Sequence, residues 1–168
     1  IIFPKQREPY TYNTSTYMGM ILGKTKENPQ TIFDFILQKI DTKSLPNFRL
    51  YNKYVLIIPP QFSLLTRMLQ VKFIELFGRQ LSRDIETSES IKHAITIVPS
   101  SKELFIYIGV ENILYGKNIL FIPIPDKTNY GALMAIGYFI IGKIQKCHPQ
   151  WFKKNIENYL LKNSKIFN

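Results

Sequence analysis

The stretch His93–Tyr130, HAITIVPSSKELFIYIGVENILYGKNILFIPIPDKTNY, decides the fold class. It holds two short β-branched runs, Ala94–Val98 and Ile119–Ile124. Between them lies an apolar segment of helical length with Lys102 and Glu103 at its start. A short apolar run bounded by turn residues is the pattern of a strand buried on both faces. Two such strands joined by a helix form a right-handed βαβ unit with parallel strands. The expectation over this stretch is therefore strand, helix, strand, in an architecture that hosts many unrelated functions.

Downstream, Tyr130–Lys146 (YGALMAIGYFIIGKIQK) is the most apolar part of the chain. Its uncharged run covers about fourteen residues, whereas a membrane span needs roughly twenty. It reads as a helix buried against the sheet, with no membrane span. Pro149 then leads into a last helix, Trp151–Leu161, with Lys153 and Lys154 near its start.

Upstream, Tyr54–Ile58 (YVLII) is a second buried-strand pattern, closed by Pro59 and Pro60. Ser63–Gly78 has apolar residues at 64, 65, 68, 69, 73, 76 and 77 and ends on glycine, which makes it a helix with its own stop. Arg79–Ser90 is polar and reads as a loop with a short strand near Ile85. Thr31–Ile40 carries a helical stripe, and Met18–Gln30 reads as a turn-rich entry into it. Ile1–Thr16 contains Pro4, Pro9, Lys5 and Arg7 and reads as an extended basic arm. Residues 17–168 then form one three-layer α/β domain with a mostly parallel sheet and flanking helices.

The charge balance bounds the partners. There are 22 Lys and Arg against 12 Asp and Glu, a net charge of +10, which favours a polyanion such as nucleic acid or an anionic surface. One cysteine, Cys147, excludes an internal disulfide. The opening IIFPKQREPY lacks an initiator methionine and reads as a processed or partial chain, too polar for a secretory signal. Heavy use of Ile, Asn, Lys, Phe and Tyr matches A/T-rich codons, as in an organelle genome.

Catalytic chemistry finds little support. Pro59 and Pro60 supply no N–H groups where a phosphate would be held, so a nucleotide site after that strand is disfavoured. Ser100 or Ser101 suits a helix N-cap better than a nucleophile, since no G-x-S-x-G elbow surrounds it. Asp126 lies in a turn and suits a structural role better than a base or a Mg²⁺ ligand. Cys147 and His148 are adjacent, a poor chelating pair on a helix, and no second cysteine completes a zinc site. No catalytic residue, metal or cofactor is expected. From charge alone, Arg79, Arg83, Lys153 and Lys154 are candidate RNA contacts.

Three segments together resemble the small-subunit ribosomal protein S-two family of bacteria and organelles. GMILGKTKENP (Gly19–Pro29) is similar to its opening glycine–x–x–x–glycine–histidine motif and following asparagine–proline, with Lys24 in place of the histidine. HAITIVPSSKELFIYIGVEN (His93–Asn112) is similar to a strand ending in aspartate–proline and a glutamate-bearing helix. NILFIPIPDKTN (Asn118–Asn129) is similar to the next strand and its aspartate–threonine–asparagine turn. The family's tryptophan–glycine–glycine segment after Arg79 and its long helical hairpin between Arg83 and His93 have no counterpart, which suits a shortened, divergent mitochondrial form. The resemblance implies a flavodoxin-like domain in a mitochondrial small ribosomal subunit, binding ribosomal RNA and neighbouring ribosomal proteins without catalysis, with Lys24, Lys26 and Asn28 of the opening motif as RNA-backbone contacts. An α/β enzyme or nucleotide-binding domain, or a protein-only scaffold subunit of a mitochondrial complex, are the competing expectations.

Overall fold

The structure is a computed structural model, described here for residues 9–94, 97–111, 115–149 and 155. Its centre is a sheet of parallel strands: β1 (Lys53–Ile58), β2 (Ser82–Thr87), β3 (Glu103–Ile108) and β4 (Ile119–Ile122). Their spatial order, β2-β1-β3-β4, is that of flavodoxin-like sheets up to the fourth strand.

The two central strands are the two continuous apolar runs, KYVLII and ELFIYI, as burial on both faces requires. Tyr54, Leu56, Ile58, Leu104, Ile106 and Ile108 point to one face, and Val55, Ile57, Phe105 and Tyr107 to the other. The rim strands are less apolar. β2 reads SRDIET and buries chiefly Ile85 and Thr87, while β4 has only four residues and leaves Phe121 exposed.

The first face is covered by α3 (Leu65–Phe77) and α5 (Tyr130–Cys147). Two further helices, α1 (Pro9–Thr25) and α2 (Pro29–Phe35, continued as a π-helical turn to Asp41), also pack on α5. That explains why α5 is apolar nearly all round: it lies between sheet and helices. Gly137 lets α3 approach, since a Cβ there would come 2.6 Å from Leu69 Cδ2. The second face is covered by α4 (Ser88–Ala94) through Ile91, together with Ile97, Val110 and Tyr115 of the connections. This is the three-layer α/β arrangement.

Several boundaries follow the sequence: β1, α3 with Gly78 at φ +57°, β2 around Ile85, and α5. The stretch His93–Tyr130 is corrected. Ala94 ends α4, Val98 is exposed and outside any strand, and the strand lies instead at Glu103–Ile108, where a helix was expected. LFIYI fits a buried helix and a buried strand equally by periodicity; its strand length, the aromatic and β-branched content and the Gly109 turn (φ +68°) decide for the strand. Thr87 caps α4, its Oγ1 accepting the Ser90 N–H at 3.1 Å.

The N-terminal segment is corrected as well. Pro9–Thr16 is helical, not extended, and α1 runs through Gly19 and Gly23 where turns were expected. Each interior glycine costs a helix about 1 kcal/mol, and packing of Met18, Ile21 and Leu22 against the core outweighs it. Ile1–Glu8 lies outside the described residues, as does the expected last helix Trp151–Leu161 apart from Asn155, which is helical.

The connection from β3 to β4 is held to the sheet by the Tyr107 hydroxyl. It donates to the Tyr115 carbonyl at 3.0 Å and accepts the Tyr115 N–H at 2.6 Å. Gly116 follows at φ +89°, and a Cβ there would overlap the Phe105 ring. Left-handed strain and overpacking together set the expected cost of Gly116→Ala at about 3 kcal/mol. Gly23→Ala, with nothing within 4 Å, should instead stabilise by up to about 1 kcal/mol. Urea unfolding midpoints of the two variants should move in opposite directions.

Candidate nucleic-acid interface

The last turn of α1 and the turn into α2 carry three of the expected contact residues, Lys24 in the helix and Lys26 and Asn28 beyond it. α1 closes when the Lys26 N–H donates to Leu22 O at 2.9 Å, with Lys26 at φ +60°. Asn28 starts α2: its Oδ1 accepts the Gln30 N–H at 2.8 Å, and Pro29 takes the first helical position. The Asn28 side chain therefore has a local structural partner, while Lys24 and Lys26 are exposed.

Glu27 reaches from this turn to the start of α5. Its Oε1 accepts the N–H groups of Asn129 (2.9 Å) and Ala132 (3.0 Å). Its Oε2 accepts the Gly131 N–H and the Thr25 hydroxyl, both at 2.7 Å. A carboxylate at a helix N-terminus satisfies donors the helix cannot pair itself and is favoured by the helix dipole. Burial alone would push the Glu27 carboxyl up; the hydrogen bonds from Thr25, Ala132, Asn129 and Gly131 outweigh it and hold the pKa below its ordinary value. Gly131 makes the approach possible, since a Cβ there would collide with the carboxylate and with Leu22.

The two segments that Glu27 joins form the walls of a groove of about 330 Å³. Residues 25–28 with Thr31 and Ile32 make one side, and Pro125, Lys127, Asn129 and Ala132 the other. Lys127 is exposed and was not singled out from sequence. Neither Glu27 nor Lys127 carries a local signal of its role, because the contacts that matter join residues 102 to 105 positions apart.

The switch point of the sheet, between the carboxyl ends of β1 and β3, is where such folds usually hold ligands. Here Pro59 and Pro60 follow β1, and Ile124 packs over Gly109 so closely that a Cβ on the glycine would overlap it. Ser100, expected as a helix cap, lies before β3 at the opposite end of the sheet. Its Oγ accepts the Lys102 N–H at 3.2 Å in a turn, not a helix. Asp126 is exposed in the turn before α5.

The other candidates sit elsewhere. Arg79 is exposed just after α3, and Arg83 on β2, in register with Tyr54 of β1, is half-buried, its Nε without a partner among the described residues. Both lie at the amino end of the sheet, opposite Lys24 and Lys26; Lys153 and Lys154 lie outside the described residues. At that amino end Tyr54 Oη donates to Phe48 O at 2.8 Å and lies 2.7 Å from His148 Nε2. His148 meets the Tyr54 and Phe77 rings edge-on, and burial lowers its pKa. It is a packing residue, and among the described residues no group of three His, Cys, Asp or Glu could hold a metal. No helix among them is long and apolar enough to cross a membrane.

No protein-family model, curated protein or solved structure matches the chain.

Proposed function

We propose that the chain is a structural, non-catalytic subunit of a mitochondrial small ribosomal subunit that binds ribosomal RNA and neighbouring ribosomal proteins. The observation that carries this is the meeting of two of the family-like segments. Gly19–Pro29 forms the end of α1 and its turn, Asn118–Asn129 forms β4 and its turn, and Glu27 joins them. Lys24, Lys26 and Lys127 stand around that junction on a chain with a net charge of +10. Pro59 and Pro60 after β1 offer no N–H groups to a phosphate, which supports a binding role over turnover of a nucleotide. Phosphate contacts require only cations and backbone or side-chain donors at the surface, which this end of the sheet supplies.

The protein should co-sediment with small-subunit ribosomal RNA from a low-salt lysate and be released as salt rises, because counterions displaced by the lysines return to the RNA. Sedimentation as a free monomer at low salt would overturn the proposal.

A further inference from the structure

We infer that the groove between the α1–α2 turn and the β4–α5 turn is a sequence-independent seat for RNA backbone phosphate, with Lys26 and Lys127 as its two charged contacts. The inference rests on the RNA-binding proposal and narrows it to one end of the sheet. Three observations carry it.

First, the walls come from distant parts of the chain and are fixed to each other by the three bonds from Asn129, Gly131 and Ala132 to Glu27, so the two lysines are presented from a rigid frame. Second, the charge of the groove is one-sided. Its one carboxylate has both oxygens engaged by donors, whereas Lys26 and Lys127 have no carboxylate partner among the described residues, whose ion pairs are Lys72–Glu75, Lys92–Glu89 and Lys143–Asp41. Asp126, next to Lys127, is exposed and does not line the groove. Third, among the described residues the lining holds Thr25, Asn28, Thr31 and Asn129 as hydrogen-bonding groups but no aromatic ring. Reading a base without Watson–Crick pairing relies on stacking platforms, which are missing here, while contacts to phosphate and ribose need only the groups present.

The test measures binding of the whole chain to short uridine-rich and adenine-rich RNAs by fluorescence anisotropy over a salt series. Lys26→Glu and Lys127→Glu are compared with Lys92→Glu, which makes the same charge change on α4. Lys127 lies on an exposed turn, so its variant keeps the test valid if the Lys26 change unfolds the α1–α2 turn. Each groove reversal should weaken binding at least about tenfold and lower the salt slope by about one. The loss should be equal for both RNAs, and Lys92→Glu should have a far smaller effect. Salt-dependent binding that neither groove reversal alters would overturn the groove while leaving RNA binding intact. No binding by the unaltered chain would overturn both. Losses that differ between the two RNAs would overturn sequence independence. Tighter binding to anionic phospholipid vesicles than to RNA, through the same lysines, would assign the groove to a membrane and also overturn the inference.

Discussion

Phe73→Ala is expected to lower the unfolding free energy by about 4 kcal/mol. Phe73 is fully buried on α3, with its ring 5.8 Å from that of Tyr54 and 4.7 Å from that of Phe77. Truncation removes a fully buried ring between α3 and the sheet. It also leaves a void that Tyr54 cannot fill without giving up its bonds to Phe48 O and His148. A domain has roughly 5–15 kcal/mol of stability in total, so such a loss should appear as poor soluble yield as well as an early unfolding midpoint. Urea unfolding with an unchanged slope and a midpoint close to that of the parent chain would contradict the packing described here.

Glu27→Ala should cost about 2 kcal/mol, from the loss of a carboxylate that serves the backbone donors of Asn129, Gly131 and Ala132 at the start of α5 and ties α1 to it. Glu27→Gln keeps an acceptor and removes the charge, so its cost should be smaller. The pH dependence has a definite sign. The folded carboxyl titrates below its ordinary value of 4.5, so the folded state favours the charged form. That stabilisation is complete above this value and fades as pH falls through the lower, folded pKa. The stability gap between the parent chain and Glu27→Ala should thus be constant near neutrality and narrow in acid. A gap that widened on acidification would exclude the carboxylate cap.

What could be read from the sequence was what local pattern determines. Tyr54–Ile58 is an apolar run stopped by two prolines, and Leu65–Phe77 repeats on a helical period until Gly78, so neither needs tertiary information. LFIYI was misassigned because Lys102 and Glu103 before it resemble a helical first turn, and the turn at Gly109 depends on close contact with Ile124. The helical course of α1 was hidden by Pro9, Gly19 and Gly23, whose local preferences are overridden by packing on α5. Charge, the sole ground for Arg79 and Arg83 as contacts, does not say at which end of a sheet a residue lies. Strand direction separates Arg79 and Arg83 from Lys24 and Lys26. Glu27 stands among lysines in the sequence, and only the fold places it on the amide groups of residues 129–132.

The short rim strand β4 has a consequence for self-association. A sheet that ends on an unpaired strand offers its outer amides to a second copy, the first step toward fibrous polymers. Here that rim has four residues and is followed by Pro123 and Pro125, neither of which has an amide hydrogen to share. The opposite rim, β2, presents Arg83, Asp84 and Glu86 within six residues, charged side chains of the kind that blunt an exposed edge. Both borders of the sheet are thereby poor templates, so a basic protein with a strongly apolar interior can be concentrated without its sheets joining edge to edge.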